Sequence, residues 1–122
     1  MSSYAQPNVL TFKAGAAIPN GSVVKPGADN AHVLKSVLAT SKNFGIAQNA
    51  ASAAEDKVEV ALPGGGGRAL AGGSISFGDL LTADTNGALV ATTTANDRVI
   101  AIAMEDASSG DLFSVHVCVS NV

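Results

Sequence analysis

The residues with the clearest chemical potential are a histidine and a cysteine two positions apart. His116 and Cys118 lie where polar and apolar residues alternate, so both side chains are expected on one face of a strand. Both residues can bind zinc, but a structural zinc takes four ligands, and the other histidine, His32, stands alone. Side chains two apart on a strand also do not approach as nucleophile and base. The sequence therefore predicts no metal site, no cofactor and no catalytic cysteine.

Acidic residues and a glycine run are the other chemical candidates. Glu105, Asp106 and Asp111 gather at a predicted turn, where paired acids could transfer protons, although charged turns before strands are ordinary. The run Gly64–Gly67 resembles a phosphate cradle, but a P-loop continues as G-K-[ST] into a helix, and here Arg68 follows the glycines. We expect a flexible turn there, and a protein that is not an enzyme.

Short strands separated by tight turns must position these groups, and the stretch Ala71–Leu89 shows the pattern best. Gly78-Asp79 and Asn86-Gly87 are turn pairs, because glycine accepts positive φ and Asp and Asn bond their own backbone. Ile75 and Phe77, which alternate with serines, predict a strand before the first turn. The other predicted strands are Val9–Lys13, Ser22–Lys25, Ala31–Lys35, Phe44–Gln48, Lys57–Leu62, Val99–Met104 and a last one with Phe113, Val115, Val117 and Val119 facing the core. Asn49–Glu55 could form one helical turn.

The pattern of residues 71–120 repeats that of residues 14–63. Ala14–Val24 aligns with Ala71–Leu81 at an offset of 57, and Gly45–Ala47 aligns with Ala101–Ala103 at an offset of 56. Asp56–Leu62 aligns with Asp111–Val117 at an offset of 55, and loops absorb such slips of one residue. The matches stay in order, which indicates an internal duplication.

These elements predict an all-β fold, a small barrel or sandwich with two-fold pseudo-symmetry. Two repeats are too few for a solenoid, but each can cover the apolar face of the other. The expected organisation is an arm and first strand over residues 1–13, then a single β domain over residues 14–122. Within it, a glycine-rich junction over residues 64–70 joins the repeats 14–63 and 71–120.

Composition limits the classes of partner. The hydrophobic fraction is 47%, but alanine is its commonest residue, and there are only four Phe, one Tyr and no Trp. A core of small residues in a short domain suggests that contacts between subunits bury additional apolar surface. The net charge of −3, without a basic cluster, argues against nucleic-acid binding, and no apolar run is long enough for a membrane span. The N-terminus lacks signal-peptide features, and a single cysteine fits a reducing cytoplasm.

The polar N-terminus is predicted to be an extended arm that docks on another protein. It carries Tyr4, the one tyrosine, and Pro7, which cannot donate a ladder hydrogen bond. The candidate binding residues are Ser2, Ser3, Tyr4, Ala5, Gln6, Pro7, Asn8 and Val9.

Three segments together resemble the capsid decoration, or cement, proteins of bacteriophages, a small β-rich family formerly described as a domain of unknown function. The segments are Gly72–Leu89, Val99–Ala107 (VIAIAMEDA) and Gly110–Val117 (GDLFSVHV). They match an I-x-x-G-D-x-L-x-x-D-x-x-G-x-L signature, an I-A-x-A-x-E-x-A-like strand and a final G-D-x-x-x-V strand. The resemblance implies a protein of the virion, made in the bacterial cytoplasm, that stabilises the mature shell. It also implies a homotrimer that binds the major capsid protein on the outer head surface.

Two other classes remain open. A barrel-sandwich carrier domain is also small and internally two-fold, and it presents a modified lysine at a hairpin tip; Lys57 is the nearest candidate. A receptor-binding or glycan-binding module would expose aromatic side chains for stacking, and this chain has few aromatic residues.

Overall fold

Turn glycines and polar turn residues divide the chain into short strands. Within residues 9–37, 39, 42–93 and 97–121, which the computed structural model describes, the chain forms ten β-strands and no helix. The strands are β1 Val9–Ala14, β2 Val23–Pro26, β3 His32–Lys35, β4 Gly45–Ala47, β5 Lys57–Ala61, β6 Gly66–Leu70, β7 Leu80–Ala83, β8 Leu89–Ala91, β9 Arg98–Ala103 and β10 Leu112–Asn121. Over the same residues, no helix is long and apolar enough to cross a membrane. The predicted all-β barrel fold is confirmed.

Strands β1 to β5 form the first unit, a closed barrel in the order β1-β3-β2-β4-β5. Its neighbouring strands are antiparallel except for β1 and β3, which pair in parallel through Lys13↔His32 and Ala14↔Val33. Strand β5 pairs along the whole of β1, so β1 is a wall of the barrel.

Strands β6 to β10 form the second unit, a sheet in the order β6-β10-β9-β7-β8. Each antiparallel pair of the first unit recurs here with the same register; Thr11↔Glu59, for example, corresponds to Arg68↔Ser114. The parallel contact between β1 and β3 is reduced to the single bridge Ala71↔Leu89. The shared strand order is what the sequence repeat predicts, and each unit also includes the strand that precedes the repeat, β1 or β6.

Three local predictions differ from the structure. The junction is shorter than residues 64–70, because Gly66–Leu70 pairs with β10 as strand β6. Asn49–Glu55 forms no helical turn: Ala51 exchanges two backbone hydrogen bonds with Ile18, at 2.8 and 2.9 Å, and a tight turn follows, in which the Asp56 N–H donates to the Ala53 carbonyl at 3.3 Å. Phe77 lies in a turn and not in a strand.

Strand β10 follows its predicted alternation up to a bulge. Phe113, Val115 and Val117 are buried, as predicted. Val119 is only partly buried, because the pairing of β10 with β9 shifts register between Val117 and Ser120. A bulge of this kind re-aims the side chains that follow it.

The two units share part of their core. One cluster fills the first barrel, whereas the other combines the interior of the second unit with Val23, Ile46 and Ala61 of the first. Backbone hydrogen bonds join the units at the same place: the Val23 N–H donates to the Gly87 carbonyl at 2.8 Å and the Leu70 N–H to the Gly21 carbonyl at 2.9 Å. We call this contact the joint.

Candidate interaction surfaces

The predicted binding segment lies mostly outside the described residues. Ser2–Asn8 are not described by the structure, and Val9 opens β1, where it is half-buried and pairs with Ala61. Binding through Ser2–Val9 therefore stays a prediction.

An apolar surface lies on the outside of the second unit, and we call it the open face: Phe77, Leu80, Ile102 and Met104. Leu80 and Ile102 are paired neighbours on β7 and β9, and Phe77 and Met104 adjoin the ends of these strands. Exposed fractions are 67% for Phe77, 40% for Leu80 and 48% for Met104. Clustered exposed apolar side chains of this kind mark protein–protein contact sites.

A second apolar surface is a groove on the first unit, which we call the aromatic groove: Phe12, Pro26, Val33 and Phe44, rimmed by Asp29, Asn30 and His32. The Phe12 and Phe44 rings meet edge to face, with centroids 5.7 Å apart, a favourable aromatic geometry. The groove exists because β3 begins level with Lys13 and does not line β1 before that residue. Sequence reasoning missed this groove, since its residues come from four separate segments.

At the rim of the groove, His32 lies between two carboxylates. Its Nδ1 is 2.7 Å from Asp29 Oδ1 and its Nε2 is 2.8 Å from Glu55 Oε2, so a protonated ring donates to both. The hydrogen bond to Asp29, then that to Glu55, raises the pKa of His32 above its ordinary value, and the pKa of Asp29 is lowered chiefly by the same contact with His32. The spacing of Asp29 and His32 across a turn hints at the first contact. No local pattern indicates Glu55, 23 residues away.

Glu55 reaches His32 from an unusual backbone conformation. Its φ is 73°, the one positive value among the described non-glycine residues, and its counterpart in the second unit is Gly110, with φ 91°. In both units this N–H donates to an equivalent carbonyl, that of Ala14 at the end of β1 or that of Ala71 directly after β6. The positive φ therefore belongs to the repeated turn, and the Glu55 side chain adds the contact to His32 and a 3.9 Å ion pair with Lys13.

The three carboxylates singled out from the sequence stabilise turns separately. Glu105 accepts from the Ser114 N–H at 2.7 Å, and Asp106 accepts from the Phe77 N–H at 2.8 Å. Asp111 accepts from the Ser108 N–H at 3.0 Å. Each acid is thus bound to a different backbone donor, as expected for carboxylates that stabilise turns.

The histidine–cysteine pair and the glycine run also lack a reactive setting. His116 is exposed, Cys118 is partly buried, and burial raises the pKa of the Cys118 thiol, which disfavours the thiolate. Among the described residues, no three His, Cys, Asp or Glu side chains are grouped as metal ligands. Gly66 and Gly67 form ladder pairs with His116 and Val115, so their segment is a strand and not a phosphate cradle.

Lys57 does not have the position of a carrier lysine. It is exposed in β5 and pairs with Lys13, within a strand and not at a hairpin tip. Among the described residues the arrangement therefore offers exposed apolar surfaces, and Lys57 is not presented as a carrier lysine.

Comparisons with known proteins agree with this reading. The model of a family described as phage cement protein matches residues 5–119. Solved structures that resemble the chain include the N base of the head fiber gp8.5 of bacteriophage phi29, with a TM-score of 0.71 and 20% sequence identity, covering 93% of this chain and 96% of that one. At this identity the likeness shows a shared fold. The curated proteins contain no match.

Proposed function

Since the chain belongs to the phage cement protein family and is thus a phage head decoration protein, we propose that it binds the major capsid protein on the outer surface of the head and stabilises the mature shell. The observation that carries this proposal is the family match over residues 5–119, nearly the whole chain. A rigid β body with exposed apolar surfaces and no grouped catalytic residues among those described suits such a role. The protein acts as a homotrimer, made in the host cytoplasm and assembled onto the virion.

The arm Ser2–Val9 is proposed as the segment that attaches to the capsid or to a sister subunit. It leads directly into β1, and the described residues Val9–Phe12 pair with β5 on one side only, because β3 meets β1 from Lys13 onwards. A strand with a free edge can be extended by pairing with another chain. Ordering the arm costs roughly 1–2 kcal/mol per residue in backbone entropy, which a partner must offset through hydrogen bonds and burial of Tyr4.

Deleting Ser2–Asn8 is expected to weaken capsid binding by about tenfold or more, equivalent to ~1.4 kcal/mol, and to leave the body folded. The measurement is cosedimentation with expanded, undecorated heads over a concentration series, with circular dichroism melting of both proteins. A variant with Tyr4→Ala alone separates the contribution of the ring from that of the backbone. Undiminished binding by the truncated protein would place the attachment surface on the β body.

A further inference from the structure

Equivalent rows of side chains on the outside of the two units differ in burial: the row of the first unit is buried, whereas that of the second unit is at least partly exposed. Val23, Ile46 and Ala61 form a row across the outside of the first barrel, and all three are fully buried. Their counterparts by register are Leu80, Ile102 and His116. This second row includes two residues of the open face, and Leu80 is 40% exposed.

The second unit covers the row of the first unit at the joint. Val23, Ile46 and Ala61 belong to one buried cluster with Ala69, Ala83, Leu89 and Ile100 of the second unit. The Val23 N–H and the Gly21 carbonyl make the two backbone hydrogen bonds of the joint. The cluster that buries this row therefore includes apolar side chains of β6, β7, β8 and β9, and we call these four residues the receiving surface of the second unit.

The counterpart of that receiving surface in the first unit is the aromatic groove. The shared register equates Ala69 with Phe12, because they pair with the equivalent residues Phe113 and Val58. It also equates Ala83 with Pro26, Leu89 with Val33 and Ile100 with Phe44. The groove is therefore the same receiving surface, with larger side chains at three of the four positions, and no outer row from the described residues is seated on it.

We propose that a second copy of this chain docks its open face into the aromatic groove, repeating the joint between molecules. The proposal specifies the self-association part of the proposed function and does not depend on how the arm binds the capsid. A second copy is the expected occupant, because the joint shows that a receiving surface of this kind binds the outer row of a neighbouring unit. Phe77, Leu80 and Met104 supply apolar side chains to a site lined by Phe12 and Phe44.

The contact between copies also differs from the joint in its backbone hydrogen bonds. Between Pro26 and Val33 the first unit has one residue more than the second has between Ala83 and Leu89. In this longer loop the Ala31 carbonyl accepts from the Lys13 N–H at 2.8 Å, whereas the equivalent Leu70 N–H donates across the joint. By register Ala31 is the counterpart of Gly87, so in the groove both the donor and the acceptor used at the joint are already bonded to each other, and the contact between copies is weaker than the joint.

The test separates the two surfaces by substitution and mixing. Phe77→Asp places a charge on the open face, and Pro26→Asp places one in the groove; Asn30→Glu, in an exposed turn of the rim, is a second groove variant. Ser109→Asp, in an exposed turn outside both surfaces, is the matched control. Sedimentation equilibrium of each full chain gives its self-association constant, and circular dichroism melting verifies the fold.

We expect each surface variant to associate at least about tenfold more weakly than the wild-type protein, with Ser109→Asp unchanged. A mixture of Phe77→Asp and Pro26→Asp retains one intact face and one intact groove, so it forms a heterodimer and nothing larger. Wild-type association by Phe77→Asp, or by both groove variants, would overturn the proposal. So would a monomeric wild-type protein, or association abolished only by deleting Ser2–Asn8. Capsid binding of the same variants is measured in parallel, so that a loss of self-association can be distinguished from a loss of capsid binding.

Discussion

At the scale of single residues, the His32 cluster is expected to make the stability of the first barrel depend on pH. Two carboxylates, from Asp29 and Glu55, flank one imidazole that is 19% exposed. A neutral ring carries one N–H, so it can donate to only one of the two acids, whereas the protonated ring donates to both. Asp29 lies in the turn before β3 and Glu55 in the turn before β5, so the cluster ties two turns of the first barrel together.

The cluster is expected to stabilise the protein in mildly acid solution. Because the pKa of folded His32 is raised above 6.5, its stabilising contribution is fully present below that pH and is lost as the pH rises through the folded pKa. At the acid end the contribution falls as Asp29 is protonated, below its ordinary pKa of 3.8. The difference in melting temperature between the wild-type protein and His32→Gln should therefore be largest between these two values.

Melting curves over a pH series measure this difference, and His116→Gln, which removes the other histidine, is the control. A wild-type advantage that stays constant from pH 5 to 9 would contradict the expectation.

At the scale of elements, glycines set where strands can pack closely. Gly45 in β4 is buried, and a Cβ at that position would meet Val60 Cγ1 and the Ala61 carbonyl of β5. Gly66 in β6 is exposed, and a Cβ there would meet only the Val115 carbonyl, at 3.5 Å. Both glycines are in strands, but only the first is required by its neighbours.

Gly45→Ala is expected to lower the free energy of unfolding by about 1–3 kcal/mol, because overpacking forces the barrel wall to shift. Gly66→Ala should change it little or raise it slightly, since alanine restricts the unfolded chain. Urea denaturation of both variants gives the comparison. Equal effects of the two substitutions would show that close packing at β4 does not limit the barrel.

The elements also show how far sequence reasoning reaches. Strand positions followed from turn glycines and alternation, as in β10, because these signals are local. Strand β6 coincides with the predicted glycine-rich junction, because Gly66 and Gly67 have low strand propensity and their pairing with β10 is a tertiary effect. The aromatic groove and the contact between Glu55 and His32 join distant segments, so no local pattern indicates them.

At the scale of the whole molecule, the joint decides whether the two units unfold together. Gly21 and Gly78 are equivalent, with φ of 83° and 92°, so an alanine pays a similar backbone cost at either position. A Cβ at Gly21 would lie 2.7 Å from the Leu70 nitrogen and 2.8 Å from Leu112 Cδ2, whereas a Cβ at Gly78 meets nothing within 4 Å. The difference in stability between the two alanine variants therefore measures the effect of close packing at the joint.

Gly21→Ala should therefore be less stable than Gly78→Ala by about 1–3 kcal/mol. It should also give a lower urea m-value, because units that unfold separately expose less surface in each step. Equilibrium unfolding followed by circular dichroism tests both expectations. Matching transitions in the two variants would mean that the joint tolerates a methyl group at Gly21.

The inequality of the two units gives the molecule a polarity. In the proposed contact the outer row of one molecule binds the groove of the next, so repeated contacts run head to tail. Such a chain of contacts either closes into a ring or grows into a filament without limit. The single additional residue beside Ala31, which satisfies a donor that the joint would use, moderates the contact that could polymerise. If copies associate as proposed, that insertion is expected to limit the growth of such fibres.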